Sequence, residues 1–454
     1  MFRRLLYQNY KLFFLVNQKV KKRFSPHGLM IFAVMCAAGI FGIDTRATLS
    51  FQIFSFTLIM LLMALLYMLF FRGRFNVTRK LPEYGTVGQT LQYSIIVSNR
   101  DARPHKNLLL TDDLKNEFPD FNYFIKTRDP LDKKRNRIDR YLGYPRLVNT
   151  LRKLRGGNIK SKLIRHIAEK SDIDVKLELL PLRRGYLHFD KCTLASTDPL
   201  GLCHALRTFN LKDKLLVLPK LYQAPRLDLP GHRVYQPGGT NKASLSGDSQ
   251  EFISLREYRP GDPLRSIHWR SYARHGVPVV KEYQDEYFVR YGLILDTYLD
   301  STVDRDIFEE AVSIAASFMV GQRDQDTLMD LMFIDNRAYR YTSGKSHHHI
   351  NAILEVLACI EPEPDSNLAR LQELLRKHIR ECCGLVCILL ALDEERLSLL
   401  RFLDDYSIPV KALVLNNDGA DPVTIQFRNI DIHYINSSRV QQDLDKMVAR
   451  AVAA

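Results

Sequence analysis

The stretch YGLILDTYLD, residues 291–300, decides how the C-terminal half is read. Leu293-Ile294-Leu295 is a short apolar run with no alternating polar position, the pattern of a strand buried on both faces. After it, Ile307, Ala311, Ile314, Ala315 and Phe318 recur at helical spacing, and Leu331 to Ile334 reads as a second strand. Ile350, Ile353, Leu354 and Leu357 mark another helical face, and Leu368, Leu371, Leu374 and Leu375 repeat it. Strands are expected at Leu385–Leu392, Val410–Leu415 and Ile430–Ile435, with a closing helix on Val440, Leu444, Met447, Val448 and Ala451. Short apolar strands alternating with amphipathic helices predict an α/β doubly wound, mainly parallel sheet over residues 287–454.

Immediately before it lies the densest segment, GDSQEFISLREYRPGDPLRSIHWRSYARHGVPVVKEYQDE, residues 247–286. Five arginines (256, 259, 265, 270 and 274) are interleaved there with seven carboxylates. Pro260-Gly261 makes a turn, Asp262 is placed as a helix N-cap and Pro263 at the first helical position. A helix from there puts Arg265 and Trp269 four apart, so that a guanidinium can lie on the indole. Gly276 ends it, and Val277–Tyr283 runs on as a strand. The near balance of charge reads first as an internal ion-pair network, with Arg256, Glu257, Arg259, Asp262, Arg265 and Arg274 as members. The alternative is a docking surface of planar arginine forks around Tyr258, Gly261 and Trp269.

Residues 75–222 have a β texture. Leu91, Tyr93, Ile95 and Val97 alternate with polar positions, and strand-like runs return at Val175–Leu182 and Tyr186–Phe189, which predicts a β-sandwich-like domain. Residues 115–170 read as a basic insertion in it. The chain's net charge of +14 is concentrated: residues 1–28 carry +7 and residues 126–170 carry +11, so the other 381 residues carry −4. With a bilayer at hand these patches fit anionic lipid headgroups better than nucleic acid.

The bilayer follows from residues 1–74. Phe51 to Phe71 is an uncharged run of 21 residues, long enough to span, and Leu29 to Ile43 is a shorter one, giving spans at about 29–46 and 51–71. The reading is a membrane-anchoring helical hairpin turning at Asp44-Thr45-Arg46. Seven Lys/Arg precede it and Arg72, Arg74, Arg79 and Lys80 follow it, so both termini are expected on the cytosolic side of a two-pass protein of the bacterial inner membrane. Seven scattered cysteines without CxxC spacing agree with a reducing compartment.

LREYRPGDPLRSIHW followed by SYAR, preceded by STDPLGL at 196–202 and LVLPKLY at 216–222, closely resembles the bacterial domain-of-unknown-function family 58. That resemblance implies two N-terminal membrane helices, a sandwich-like region and a von Willebrand factor A-like domain. It also implies a MoxR-type AAA+ ATPase as partner. A von Willebrand A-like sheet raises the question of a metal site, for which its first strand ends D-x-S-x-S. Here Asp296 matches, but Tyr298 and Asp300 stand at the serine positions. The third-loop threonine falls near Ser366 and the later aspartate near Asp393. Asp296, Asp300, Ser366 and Asp393 are therefore a degenerate set, with Mg²⁺ as the only cofactor to consider and weak or absent binding expected.

His347-His348-His349 reads as a surface loop, and the chain has no G-x-x-x-x-G-K-[ST], H-E-x-x-H or G-x-S-x-G. Gly238-Gly239-Thr240 lacks the P-loop spacing. The expectation is a non-enzymatic adaptor or scaffold, membrane-anchored and facing the cytosol. It would work with the ATPase in assembly or remodelling of membrane or envelope proteins. The rivals are a metal-dependent enzyme in the C-terminal crevice and a membrane-tethered nucleic-acid binder.

Overall fold

A computed structural model describes the chain except residues 1, 42–47, 72, 122–123, 125–135, 137–142, 226–251, 261, 263, 265–266, 284–288, 301–304, 322–326, 336, 343–346, 366–367, 417–426 and 454. It is a mixed α/β protein of two compact units: residues 1–220 with 354–359, and residues 221–353 with 360–454. The expected hairpin turn at Asp44–Arg46, Gly238–Thr240 and most of the basic run 126–142 lie outside the described residues.

The first unit opens with three helices, α1 (Phe2–Arg23), α2 (Pro26–Phe41) and α3 (Thr48–Phe70). Within α3, Leu49–Phe70 is 22 residues and is long and apolar enough to cross a bilayer; α2, at 16 residues, is shorter. Gly39 near the end of α2 meets Phe54 near the start of α3, where an added Cβ would come within 3.3 Å of the ring. Leu202 and Cys203 pack with Ala64 of α3. Ser25 caps α2, its Oγ accepting from Gly28 N at 3.0 Å and donating to Gly201 O at 2.6 Å.

Two sheets then pack face to face. One has the order β1 (Phe75–Lys80), β3 (Leu91–Asn99), β7 (Asp172–Pro181), β5 (Gly157–Ile159). The other runs β2 (Tyr84–Thr86), β10 (Lys214–Leu218), β8 (Gly185–Thr197), β4 (His105–Leu114), β6 (Lys162–Ile167), with β9 (His204–Asn210) also on β8. Tyr93, Ile95 and Val97 of β3 and Leu108, Leu110 and Leu114 of β4 turn inward into one core. The alternation that places those leucines also places Asp112 inside. There it accepts from Arg79 Nε at 2.9 Å and Nη2 at 2.6 Å, and from the Tyr93 hydroxyl at 2.7 Å. Both the Arg79 and the Asp112 side chains have no exposed surface.

Residues 157–167, read from sequence as part of a basic insertion, instead supply β5 and β6. In β6, Lys162 and Arg165 occupy exposed positions while Ile164 and Ile167 face the core, so the basic residues of the sequence hide a strand. Helix α4 (Tyr144–Arg155) precedes them, and its Leu147 and Leu151 pack with Tyr7 of α1.

The second unit holds a two-stranded ribbon, β11 (Phe252–Glu257) with β12 (Val279–Tyr283), around the short helix α5 (Trp269–His275). Its main sheet has the order β15 (Arg337–Thr342), β14 (Thr327–Asp335), β13 (Val289–Leu295), β16 (Gly384–Leu389), β17 (Val410–Asn416), β18 (Ile430–Asn436). All neighbours are parallel except β15, which returns antiparallel on β14.

The intervening helices are α6 (Arg305–Gly321), α7 (His347–Cys359), α8 (Leu368–His378), α9 (Glu394–Asp404) and α10 (Val440–Ala453). His347–His349 therefore open a helix, not a loop. Near the amino ends of the strands, buried Asp330 lies between Arg290 (3.0 Å) and Arg340 (2.7 Å), and Arg340 also donates to Glu381 at 2.6 Å.

Candidate functional site

In an open parallel sheet the ligand crevice lies beyond the carboxyl ends of the strands, where the chain order reverses. Here the reversal falls between β13 and β16, so Asp296 after β13 and residues 390–393 after β16 meet there. Asp296 Oδ2 accepts from Leu390 N at 3.1 Å and from Arg396 Nε at 2.6 Å, while Oδ1 accepts from Tyr298 N at 3.0 Å. Arg396 Nη2 donates to Tyr298 O at 2.6 Å, and Nη1 donates to Asp393 Oδ2. Its guanidinium also lies 5.1 Å from the Tyr298 ring centroid. Neither Arg396 nor Asp296 exposes any side-chain surface.

Burial works against the Arg396 charge, but the Asp296 carboxylate and then Asp393 more than offset it and hold the guanidinium pKa above its ordinary value. Burial pushes Asp296 upward, and Arg396 with the two backbone N–H groups opposes it. The site thus carries its own cation. Asp393, expected from sequence as a metal ligand, is the N-cap of α9: its Oδ1 accepts from Arg396 N at 2.9 Å.

The donor set does not fit a divalent metal. Both Asp296 oxygens already accept from N–H groups, and Arg396 places positive charge where the ion would need to be. Asp300 follows on the same loop, and Ser366 lies outside the described residues. Among the described residues no group of three or more His, Cys, Asp or Glu side chains is arranged to hold a metal. The remaining cavity beside Asp296, Thr297 and Tyr298 measures about 10 Å³. That is room for one water, against the several hundred Å³ of a small-molecule site. Arg396 was missed in the sequence because a lone arginine on a helix is ordinary. The available signal was its place three residues after the N-cap Asp393, which turns it back over the strand ends.

The arginine-rich segment forms an ion pair of the expected kind. Arg256 forms a two-pronged pair with Asp262, Nη1 to Oδ2 and Nη2 to Oδ1 both at 2.8 Å, and Asp262 Oδ2 also accepts from Arg259 N at 2.9 Å. Those hydrogen bonds, Arg256 first, hold the Asp262 carboxyl down to about 2. Asp262 closes the turn that follows β11; residues 263, 265 and 266, over which the expected helix would open, lie outside the described residues, and the described helix α5 opens at Trp269. Gly276 ends that helix at φ 71°, a left-handed conformation glycine adopts without strain.

Gly261 and Arg265 lie outside the described residues, and Tyr258 is half-buried. Trp269 is 60% exposed, with Tyr272 edge-on at 6.1 Å. Leu264 and Val277 are exposed as well, and so are Glu257, Arg259, Arg270 and Arg274. An exposed Trp–Tyr pair on a segment that also exposes aliphatic side chains and arginines has the composition of a protein-binding hot spot.

Residues 254–404 match the family described as "Protein of unknown function DUF58". The uncharacterized protein YeaD of Bacillus subtilis (strain 168) is 27% identical over 217 residues, covering 47% of this chain and 52% of that protein. The chain thus spans about half the length of this curated relative. Together the two matches support the family that the 255–274 motif resembles. Among solved structures, the CARDB domain of a Pyrococcus furiosus protein is similar over 33% of this chain and 91% of that one, at 11% identity and TM-score 0.17. Salmonella alpha-2-macroglobulin reacted with methylamine is similar over 35% and 8%, at 11% identity and TM-score 0.19.

Proposed function

We propose that this chain is a membrane-anchored adaptor that works with a MoxR-type AAA+ ATPase in assembling or remodelling membrane or envelope proteins. The observation that carries the reading is the solvent-facing Trp269–Tyr272 pair, on a segment that also exposes Leu264, Val277, Arg259, Arg270 and Arg274. A large indole held at the surface on a seven-residue helix contributes little to a core, and it is the kind of anchor a partner buries. The metal-dependent enzyme is the weaker reading, because Arg396 occupies the crevice of the von Willebrand A-like sheet with a fixed guanidinium.

In this reading α2 and α3 form a two-pass anchor in the inner membrane, both ends cytosolic, with the basic residues of α1 and those following α3 on the inner face. The test is a pull-down of a purified MoxR-type ATPase from the source bacterium with the detergent-solubilised full chain, with and without ATP. Nucleotide-dependent capture is expected. Failure to capture it under either condition overturns the adaptor reading.

A further inference from the structure

A cleft of about 800 Å³ opens in the first unit between the C-terminal half of α1 and one end of the sandwich. That is within the size range of small-ligand sites. Lys22, Lys115, Lys191, Lys212 and Lys214 line it together with His188. Three aspartates share the lining, and each is already engaged: Asp113 by Lys22, Asp190 by Lys191, and Asp213 by Arg79. Lys212 makes no ion pair among the described residues, and Lys214 rests only on the Tyr186 ring, 4.9 Å from its centroid. The lining side chains carry a net +2, concentrated on flexible ammonium groups that suit phosphate as point charges.

The other wall is apolar, formed by Leu15 of α1 with Leu114 and Phe118. Beside Leu15, α1 exposes Leu12, Phe13 and Val16, an apolar strip among basic residues typical of a helix lying in a bilayer interface. The helix is fixed against the sandwich by Phe14 edge-on to Phe118 at 5.9 Å and by Lys11 over the same ring at 4.8 Å.

Depth follows from chain length. Lys22 precedes Pro26, the first residue of α2, by four residues, no more than about 14 Å even when extended. Phe70 at the end of α3 precedes Phe75 of β1 by five residues, no more than about 18 Å when extended. The cleft therefore sits at headgroup level if these helices enter the bilayer.

We infer that this cleft binds the phosphate headgroup of an anionic phospholipid, with Lys212 and Lys214 contacting the phosphate and Leu15 and Phe118 bordering its acyl chains. The inference rests on the membrane-anchored reading for the source of its ligand, but a soluble probe tests it separately.

The full chain in non-ionic detergent is titrated with dihexanoyl phosphatidylglycerol below its micelle concentration, and binding is followed by the rise in melting temperature. Dihexanoyl phosphatidylcholine and inorganic phosphate are run in parallel. The expected result is saturable stabilisation by phosphatidylglycerol, at least tenfold weaker binding by phosphatidylcholine and by phosphate, and at least tenfold weaker phosphatidylglycerol binding in K212E/K214E. Lys19→Glu with Lys21→Glu, on α1 outside the cleft, should bind as the parent does.

Equal losses in both double variants would show diffuse surface charge and overturn the cleft. Phosphate binding as tightly as the lipid would overturn the lipid assignment in favour of a free anion. Should K212E/K214E fail to fold, K212Q with unchanged melting gives the same comparison, and undiminished lipid binding in it overturns the proposal. Membrane fractionation of the same chains reports on anchoring alone, so a chain that pellets with membranes yet ignores phosphatidylglycerol refutes the cleft and leaves the anchor standing.

Discussion

Arg396 Nε lies 2.6 Å from Asp296 Oδ2 with both side chains withdrawn from solvent, joining α9 to the strand end of β13. Removing one partner of such a pair leaves the other buried and uncompensated, at a cost of about 3–5 kcal/mol. Arg396→Ala and Asp296→Ala should each lower the melting temperature of the full chain sharply. The double variant should lose less than the sum of the two, because it strands no charge. Millimolar Mg²⁺ should leave the parent's melting temperature unchanged. A parent stabilised by Mg²⁺, or an Arg396→Ala chain that melts like it, would show that the crevice is not closed by the arginine.

The same logic applies inside the sandwich, where Asp112 accepts from Arg79 and from the Tyr93 hydroxyl. Arg79 is further held by Leu211 O at 3.0 Å and lies 4.5 Å from the Phe189 ring centroid. Arg79→Met should destabilise the full chain by about 3–5 kcal/mol. Tyr93→Phe, which removes one of three donors to a carboxylate that keeps its arginine, should cost only about 1–2 kcal/mol. Chemical denaturation of the two variants checks the order, and a larger loss for Tyr93→Phe would contradict it.

Period and run length made the doubly wound sheet legible: Leu293–Leu295, Leu385–Leu389 and Val410–Leu415 are apolar because both faces are covered, and that pattern survives without any knowledge of neighbours. β6 is hidden by charge on its open face, since a strand with one solvated side can carry Lys162 and Arg165 at no packing cost, and β5 is only three residues long. The crevice was half legible. Asp296 and Asp393 were singled out by position, but the cation that joins them is Arg396, three residues after Asp393 and 100 after Asp296. The arginine-rich segment was read as a network because its charges nearly cancel. Cancellation along the chain says nothing about exposure, and Trp269 proves to face solvent.

Thiol chemistry offers a check on burial in both units. Cys192 and Cys382 are each pushed up to about 12, by burial first and then by Asp112 and Asp330 respectively. A group with its pKa that far above 8 presents almost no thiolate to an electrophile. Cys203, Cys383 and Cys387 are buried too, whereas Cys36 and Cys359 are exposed. Brief N-ethylmaleimide treatment at pH 8 of the native chain in detergent should therefore add one label, at Cys359, with Cys36 of α2 shielded by the detergent, and seven after denaturation. Mass spectrometry showing native labelling at Cys192 or Cys382 would contradict the packing described for their cores.

Trp269 separates a structural from a docking role for the arginine-rich segment. At 60% exposure on α5 its ring has little packing to lose, so Trp269→Ala should change stability by no more than about 0.5 kcal/mol. As a hot-spot anchor its loss should weaken capture of the ATPase by about 30-fold or more, which corresponds to about 2 kcal/mol. Arg270→Glu, an exposed neighbour on the same helix, should weaken capture while melting like the parent. Arg256→Ala behaves differently in this scheme, because it removes the half-exposed partner of Asp262 and loosens the turn itself. A Trp269→Ala chain that melts early would return the segment to a structural role. One that melts normally and still captures the ATPase at full strength would move the docking surface elsewhere.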